Sequence, residues 1–115
     1  MKLHLYHYPK CSTCKKALKF LDARKVRYEK IPIVDRPPTM AELKKMLGFV
    51  GDIRKLFNTS GLVYREMKLG EKLPSMSEAE ALKLLAANGK LIKRPFAIDA
   101  ARGMVGFKEA EWKKL

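Results

Sequence analysis

Polar and apolar residues alternate over residues 2–8, and this segment also contains aromatic side chains. Such a period of two is typical of a β-strand, which Pro9 would end. From residue 12 to residue 24 the apolar positions recur at helical spacing, and lysines occupy the opposite face, so an amphipathic helix is predicted there. Residues 26–33 are rich in β-branched and aromatic side chains and predict a second strand. A strand–helix–strand start usually places two parallel strands side by side through a right-handed crossover.

The middle of the chain is predicted to be helical, over about residues 39–90. Capping-box patterns at residues 39–42 and 77–80 each open a helix. The first helix is expected to end near Gly48 and the second at Asn88-Gly89. Two shorter helical pieces are predicted between them, at residues 52–57 and 64–69.

Two short apolar runs near the end of the chain, residues 96–98 and 104–107, are separated by a turn-forming segment and predict a β-hairpin. Residues 109–114 predict a closing helix with Trp112 as its apolar anchor. A hairpin that follows a parallel pair can add antiparallel strands to the same sheet. The pattern therefore predicts an α/β fold with a four-stranded mixed sheet flanked by helices.

The length of 115 residues and the 47% of hydrophobic residues fit a single packed domain that spans residues 1–115. No apolar run approaches the roughly 18–20 residues that a membrane-spanning helix requires. The first residues also lack the unbroken apolar stretch and the cleavage site of a signal peptide. We therefore expect a cytoplasmic protein without a membrane partner.

The chain is strongly basic: 25 lysines and arginines against 12 acidic residues give a formal net charge of +13. This charge attracts anionic partners and favours thiolates over thiols. The lysines are, however, spread along the chain in singles and pairs, as on the solvated faces of amphipathic helices. Direct binding to nucleic acid is therefore not predicted from charge alone.

Cys11 and Cys14 form a C-x-x-C pair at the junction between the first strand and the first helix. A sulfur at a helix N-terminus faces unpaired backbone N–H groups and the positive end of the helix dipole, which favours the thiolate. Lys10 and Lys15 add positive charge on either side. Cys14 shares a helical face with Leu18 and should point partly inward. An exposed sulfur beside a shielded one is the arrangement of an attacking and a resolving thiol.

Three other interpretations of the cysteines compete with redox chemistry. A structural disulfide is disfavoured in a cytoplasmic protein that can build an ordinary core. A zinc site would need His4 and His7, which lie three apart on a strand and so point to opposite faces; we therefore predict no metal site. The third interpretation is that both cysteines are inert core residues. A C-x-x-C pair next to a strand–helix–strand pattern favours the redox interpretation.

A second group of residues, at Arg94 and Pro95, precedes the predicted hairpin. A proline before a strand cannot donate to the ladder, and a cis bond there would place a backbone edge beside the thiols. The planar guanidinium of Arg94 could then pair with a thiolate, a mixed disulfide or an oxyanion. A surface arginine before a trans proline is the alternative.

Five segments that follow one another over nearly the whole chain carry a family resemblance: Tyr8-Pro9-Lys10-Cys11-Ser12-Thr13-Cys14-Lys15-Lys16-Ala17, Phe57-Asn58-Thr59-Ser60-Gly61, Tyr64-Arg65, Leu91-Ile92-Lys93-Arg94-Pro95 and Val105-Gly106-Phe107. Together they resemble the arsenate reductase-like (ArsC/Spx) family. The resemblance implies a thioredoxin-like fold with a helical insertion between strands 2 and 3 and a cis proline at Pro95. Tyr64 and Arg65 either face the thiols across the insertion or belong to a surface helix turn, and the sequence leaves both alternatives open.

The resemblance leaves three functions to compare. Arsenate reductases of the family use one nucleophilic cysteine, matched by Cys11, and three arginines. Arg94 matches one of them, but the other two positions fall at about Asn58 and Gly106, which predicts weak binding of arsenate. Spx regulators use a C-x-x-C switch and bind RNA polymerase, so its alpha subunit is a candidate partner.

The turn at residues 58–61 is closer to small family members thought to be thiol reductases. The primary prediction is therefore a thiol–disulfide oxidoreductase with no bound cofactor. Its electron donor would be glutathione, glutaredoxin or thioredoxin, and Cys11, Cys14 and Arg94 would be its catalytic residues. Lys10, Lys15, Arg65 and Pro95 are the predicted residues that bind substrate or stabilise the thiolate.

Overall fold

Four strands form one mixed sheet in the computed structural model, which describes residues 2–115. The strands are β1 (Leu3–His7), β2 (Tyr28–Pro32), β3 (Phe96–Ile98) and β4 (Gly103–Val105). Their order in the sheet is β2-β1-β3-β4, with β1 and β2 parallel and the other two neighbouring pairs antiparallel. The predicted mixed sheet is confirmed, and β4 forms one of its edges.

Helices pack on both faces of this sheet. They are α1 (Ser12–Ala23), α2 (Met40–Val50), α3 (Leu62–Glu66), α4 (Leu69–Lys72), α5 (Glu78–Ala87) and α6 (Glu109–Trp112). Short 3-10 turns lie at Ile53–Leu56, Leu73–Ser75 and Gly89–Leu91. The elements from α2 to the last of these turns separate β2 from β3 in the chain, which confirms the helical insertion. Among residues 2–115, none of the helices has the length and apolar character needed to cross a membrane.

The ends of the helices are set by local side-chain chemistry. Both predicted capping boxes are present, with Thr39 and Ser77 as the N-caps of α2 and α5. Helix α2 continues two residues past the predicted end near Gly48, to Val50, and is capped by Gly51, whose φ is 82°. A glycine inside a helix costs only about 1 kcal/mol, whereas the left-handed conformation at the end strongly favours glycine.

Two other boundaries differ from the prediction. The single helical piece expected at residues 64–69 is interrupted at Lys68, whose φ is 53°, so that α3 and α4 are separate. The interruption turns Leu69 into the core, where it is fully buried. Strand β4 ends at Val105 rather than at residue 107, because Gly106 has a φ of 72° and turns the chain out of the strand.

The sheet separates two hydrophobic clusters, as expected when side chains alternate between its faces. On one face, Tyr6, Ile31 and Phe96 pack with the helical insertion. On the other face, Leu5 and other strand residues pack with α1 and α6. The predicted anchor Trp112 is completely buried there, and its indole N–H donates to the Gly106 carbonyl at 3.1 Å. This bond holds α6 against the end of β4.

Candidate active site

Cys11 is the N-cap residue of α1, directly after the loop that leaves β1. Its backbone N–H donates to the Tyr8 carbonyl at 3.0 Å, and its Sγ accepts the backbone N–H of Cys14 at 3.3 Å. The sulfur thus takes the place that a serine or aspartate oxygen has at most helix N-caps. An N–H donor and the positive end of the helix dipole both favour negative charge on this half-exposed sulfur.

Cys14 follows three residues later in the first turn of α1 and is only 1% exposed. Both cysteines are free thiols. Burial is the main reason that the pKa of Cys14 is raised to about 12, and the hydrogen bond and charge of Cys11 raise it further. A backbone hydrogen bond with Tyr8 and the positive charge of Arg94 act in the opposite direction. The two thiols therefore differ in the way that sequence reasoning predicted: one accessible and one shielded.

The helical insertion is joined to the segment before β3 by two backbone hydrogen bonds. Asn58 N–H donates to the Leu91 carbonyl, and Lys93 N–H donates to the Leu56 carbonyl, both at 2.8 Å. Nearby, Gly106 N–H donates to the Pro95 carbonyl at 2.8 Å, which ties the end of β4 to the same segment. These bonds hold together the helical insertion, the segment before β3 and the end of β4, which lie far apart in the sequence.

A cavity of about 340 Å³ lies where these segments meet. Its lining residues are Cys11, Thr13, Asn58, Lys93, Arg94, Val105, Gly106, Phe107 and Lys108. Three of them are cationic and, within residues 2–115, no carboxylate contributes to the lining. The cavity therefore presents a thiol, an amide and three positive charges to a ligand, which suits a substrate that is anionic or that becomes anionic during reaction.

Arg94 precedes Pro95 through a cis peptide bond, which confirms the backbone geometry implied by the family resemblance. Its guanidinium carbon lies 4.6 Å from the centre of the Tyr8 ring. This cation–π contact fixes the guanidinium beside the loop that carries Cys11. Tyr8 therefore orients a predicted site residue.

The other four predicted site residues do not line this cavity. Pro95 is buried behind Arg94, and Lys10 and Lys15 are exposed on either side of Cys11. Arg65 is exposed on α3 and does not line the cavity, whereas its neighbour Tyr64 packs on Phe57 with ring centres 6.1 Å apart. Roles for these side chains remain predictions.

Sequence reasoning missed Lys93 and Lys108 as site residues. Lys93 directly precedes Arg94 in the chain. Its position beside Gly106, however, depends on the hydrogen bond that its backbone N–H donates to the Leu56 carbonyl. A Cβ added at residue 106 would lie 2.9 Å from Lys93 Cε, so the lysine occupies space that a side chain there would need. Gly106, one of the two positions that the resemblance aligns with arginines of arsenate reductases, is thus covered by a lysine from another segment.

The two histidines are not placed as partners of the thiols. His4 Nδ1 lies 3.2 Å from Glu42 Oε2 on α2. Burial and the nearby charge of Lys30 lower the pKa of His7. In the part of the chain that the structure describes, no three His, Cys, Asp or Glu side chains are grouped closely enough to hold a metal ion.

Comparison with known proteins assigns the chain to a family. The model of the ArsC family matches residues 6–115. The chain belongs to the ArsC family. Among family relatives, the uncharacterized protein YusI of Bacillus subtilis strain 168 is 48% identical over 115 residues, covering 99% of this chain and 98% of YusI. The global transcriptional regulator Spx of Enterococcus faecalis strain V583 is 31% identical over 114 residues, covering 98% of this chain and 85% of Spx.

Solved structures of ArsC family proteins share the fold. An ArsC family related protein from Bacteroides fragilis has a TM-score of 0.94 and 49% identity, over 99% of this chain and 97% of that protein. A possible arsenate reductase from Streptococcus mutans UA159 has a TM-score of 0.88 and 37% identity, over 96% and 97% of the two chains. The thioredoxin-like fold expected from the sequence is confirmed, and the relatives include both arsenate reductase-like and Spx-like proteins.

Proposed function

We propose that this ArsC family protein is a thiol–disulfide oxidoreductase in which Cys11 attacks and Cys14 resolves. The observation that carries the proposal is the pairing of an accessible sulfur, which accepts the Cys14 N–H at 3.3 Å, with a second sulfur that is 1% exposed on the same helical turn. This arrangement lets a substrate disulfide reach only one sulfur, while the other is held within reach of the resulting mixed disulfide.

The first step is attack of the Cys11 thiolate on one sulfur of a substrate disulfide. A bond forms between Cys11 Sγ and that sulfur, and the other substrate sulfur leaves as a thiolate. The charge of Cys11 is then gone, and with it two of the causes that raise the pKa of Cys14. Cys14 can now pass its proton to the leaving thiolate and attack Cys11 Sγ. The second substrate thiolate is released, and the protein is left with a Cys11–Cys14 disulfide.

Arg94 has the place and the charge to stabilise the thiolates that form in both steps. It lines the cavity beside Cys11, and its charge favours the thiolate of Cys14. An external thiol must return two electrons to the protein disulfide after each cycle. Glutathione, glutaredoxin and thioredoxin are the proposed donors, which would place the reaction in the reducing cytoplasm.

The proposal is tested with oxidised glutathione and mass spectrometry of the protein. A Cys14→Ser variant should retain one glutathione on Cys11, whereas the wild-type chain should lose two hydrogens and retain none. A Cys11→Ser variant is the matched control and should remain unmodified. A wild-type chain that stays reduced, or that forms its adduct on Cys14, contradicts the proposal.

A redox-dependent regulator is the second candidate, and the 31% identity to Spx over 98% of the chain favours it. In this case the Cys11–Cys14 disulfide would change the affinity for RNA polymerase, through its alpha subunit. The test is co-purification with polymerase from oxidised and from reduced samples. Absence of polymerase under both conditions would remove this candidate and leave the enzyme.

Arsenate reduction is the least supported candidate. Residues at the two further arginine positions are Asn58 and Gly106, and both line the cavity without supplying a guanidinium. Lys93 and Lys108 supply charge but not the bidentate hydrogen bonds of arginine. An assay for arsenite, with arsenate, glutathione and glutaredoxin, should detect no turnover above the Cys11→Ser background.

A further inference from the structure

A second concavity, of about 610 Å³, runs beside the Cys11 cavity. Lys93, Val105 and Lys108 line both concavities, so the two are continuous. We call the larger one the basic groove. Because it opens into the cavity that Cys11 lines, it is a candidate to bind the part of a substrate that does not react. The chemistry of its lining indicates what that part would be.

Positive charge dominates the basic groove. Its basic side chains are Arg54, Lys55, Lys93, Arg102, Lys108 and Lys114. Arg102 pairs with Asp99, whereas no carboxylate among residues 2–115 lies within ion-pair distance of the other five. Glu111 is the acidic side chain in the lining. The groove therefore complements an acidic ligand.

The floor of the basic groove is strand β4, whose residues 103–105 all contribute to the lining. Two hydrogen bonds at the ends of the β3–β4 ladder show which opposite residues are hydrogen-bonded pairs. Gly106 N–H donates to the Pro95 carbonyl at 2.8 Å, and Asp99 N–H donates to the Arg102 carbonyl at 2.9 Å. Because hydrogen-bonded pairs alternate in an antiparallel ladder, the next such pair is Ala97 with Met104.

Gly103 and Val105 alternate with these hydrogen-bonded residues along β4, so their own N–H and C=O groups point away from β3. They therefore face the groove, because β4 is the last strand of the sheet. Phe49, which is 41% exposed, forms one wall: a Cβ added at Gly103 would lie 2.6 Å from Phe49 Cδ2. An open strand edge beside an exposed aromatic ring suits an extended peptide that adds a fifth strand.

We propose that the basic groove binds an acidic, extended segment of a protein disulfide substrate along the outer edge of β4. The segment would lie with its oxidised cysteine at Cys11. This inference rests on the proposed function and adds its substrate class. The chemical step is unchanged: Cys11 joins the substrate cysteine, the other substrate sulfur leaves as a thiolate, and Cys14 completes the two-electron transfer.

Binding is tested first without chemistry, in a Cys11→Ser protein. The probe is a fluorescein-labelled peptide in which Asp and Glu alternate with Val and Thr, and the matched peptide has Lys in place of the acids. The acidic peptide should bind at low salt and the basic one should not. Reversal of two groove charges, R54E/K55E, should weaken binding by about tenfold, because attraction becomes repulsion. The K114E variant, at the other side of the groove, should weaken it in the same direction.

Two controls separate the groove from the general positive charge of the protein. The K72E/K83E variant changes the net charge equally at exposed positions outside both concavities and should bind as the parent does. N-methylation of alternate residues of the acidic peptide, in the register that faces β4, should abolish binding without changing charge. Equal weakening by both double variants, or no effect of N-methylation in either register, would overturn the inference.

The second arm uses the wild-type chain and the same two peptides, each carrying one cysteine as a mixed disulfide with thionitrobenzoate. Release of thionitrobenzoate should be at least about tenfold faster from the acidic peptide, and R54E/K55E should remove the difference. Equal release from both peptides overturns the substrate class and leaves the proposed function standing. No release from either, with tight binding of the acidic peptide in the first arm, supports the groove and contradicts the proposed function.

Discussion

The guanidinium carbon of Arg94 lies 4.6 Å from the centre of the Tyr8 ring. Tyr8 is the first residue of the loop between β1 and α1, and its carbonyl accepts the N–H of Cys11. One residue thus contacts both the reactive cysteine and the arginine proposed to assist it. The cation–π contact makes the position of Arg94 relative to the thiols depend on an aromatic ring.

Loss of that ring should slow thiol–disulfide exchange. A Tyr8→Leu change is expected to reduce the rate of reaction with oxidised glutathione by about twofold to fivefold, the range for a partly exposed cation–π contact. A Tyr8→Phe change keeps the ring and should keep the rate. In an Arg94→Ala background the Tyr8→Leu change should have no further effect. A full additional loss in that background would show that Tyr8 acts independently of Arg94.

The unequal exposure of the two thiols should appear in their alkylation. Iodoacetamide near neutral pH should modify Cys11 many times faster than Cys14, because Cys14 is 1% exposed and its pKa is raised to about 12. Peptide mapping after short reaction times measures both rates. In urea the two rates should converge. Comparable rates in the folded protein would mean that α1 opens readily and that Cys14 is not shielded.

Stability should fall at alkaline pH. Burial raises the pKa of Cys14 from 9.0 to about 12 and that of Tyr28 from 10.0 to about 12, and it also raises the pKa of Tyr6. A raised pKa means that the folded chain holds its proton more tightly, so this stabilisation is complete below about pH 9 and is lost towards pH 12. Urea unfolding at about pH 8 and about pH 10 measures the change.

A Cys14→Ala variant serves as the control for this alkaline effect. Its absolute stability will differ from that of the wild type, so the comparison is the loss between the two pH values. The variant should lose less than the wild type, because one of the titrating groups is absent. An identical loss would assign the whole effect to the tyrosines.

Protonation of Glu42 should lower the stability of the protein at acid pH. Burial alone would raise its pKa, but hydrogen bonds with Tyr6 (2.6 Å), Thr39 and His4 together lower it from 4.5. The lowered pKa adds stability that is present above about pH 4.5 and is lost as the pH falls through the folded value. A Glu42→Gln change should therefore reduce the free energy of unfolding by about 1–2 kcal/mol at neutral pH.

The difference between wild type and Glu42→Gln should shrink as the pH falls below 4.5, the ordinary pKa of this carboxyl. Thermal or urea unfolding at several acid pH values follows it. A constant difference across this range would mean that the amide loses packing or capping at Thr39 rather than charge. The Glu80→Gln change at the other capping box, on the surface, is the matched control.

The elements and their order could be predicted from the amino-acid sequence alone, because they depend on local interactions. Alternation at β1, helical spacing in α1 and the capping boxes at Thr39 and Ser77 all act within a few residues. The C-x-x-C pair could be assigned to the first helical turn for the same reason. Family resemblance added the cis bond before Pro95, which local pattern left open.

Which distant side chains share the cavity with Cys11 became evident from the folded chain. Lys93 and Lys108 reach it through backbone hydrogen bonds and strand pairing between segments far apart in the chain, and no local pattern reports such contacts. Likewise, the contact of Arg94 with Tyr8 and the open edge of β4 follow from strand order. Arg65 shows the converse: its motif suggested a place at the thiols, but the packing of α3 leaves it exposed and outside the cavity lining.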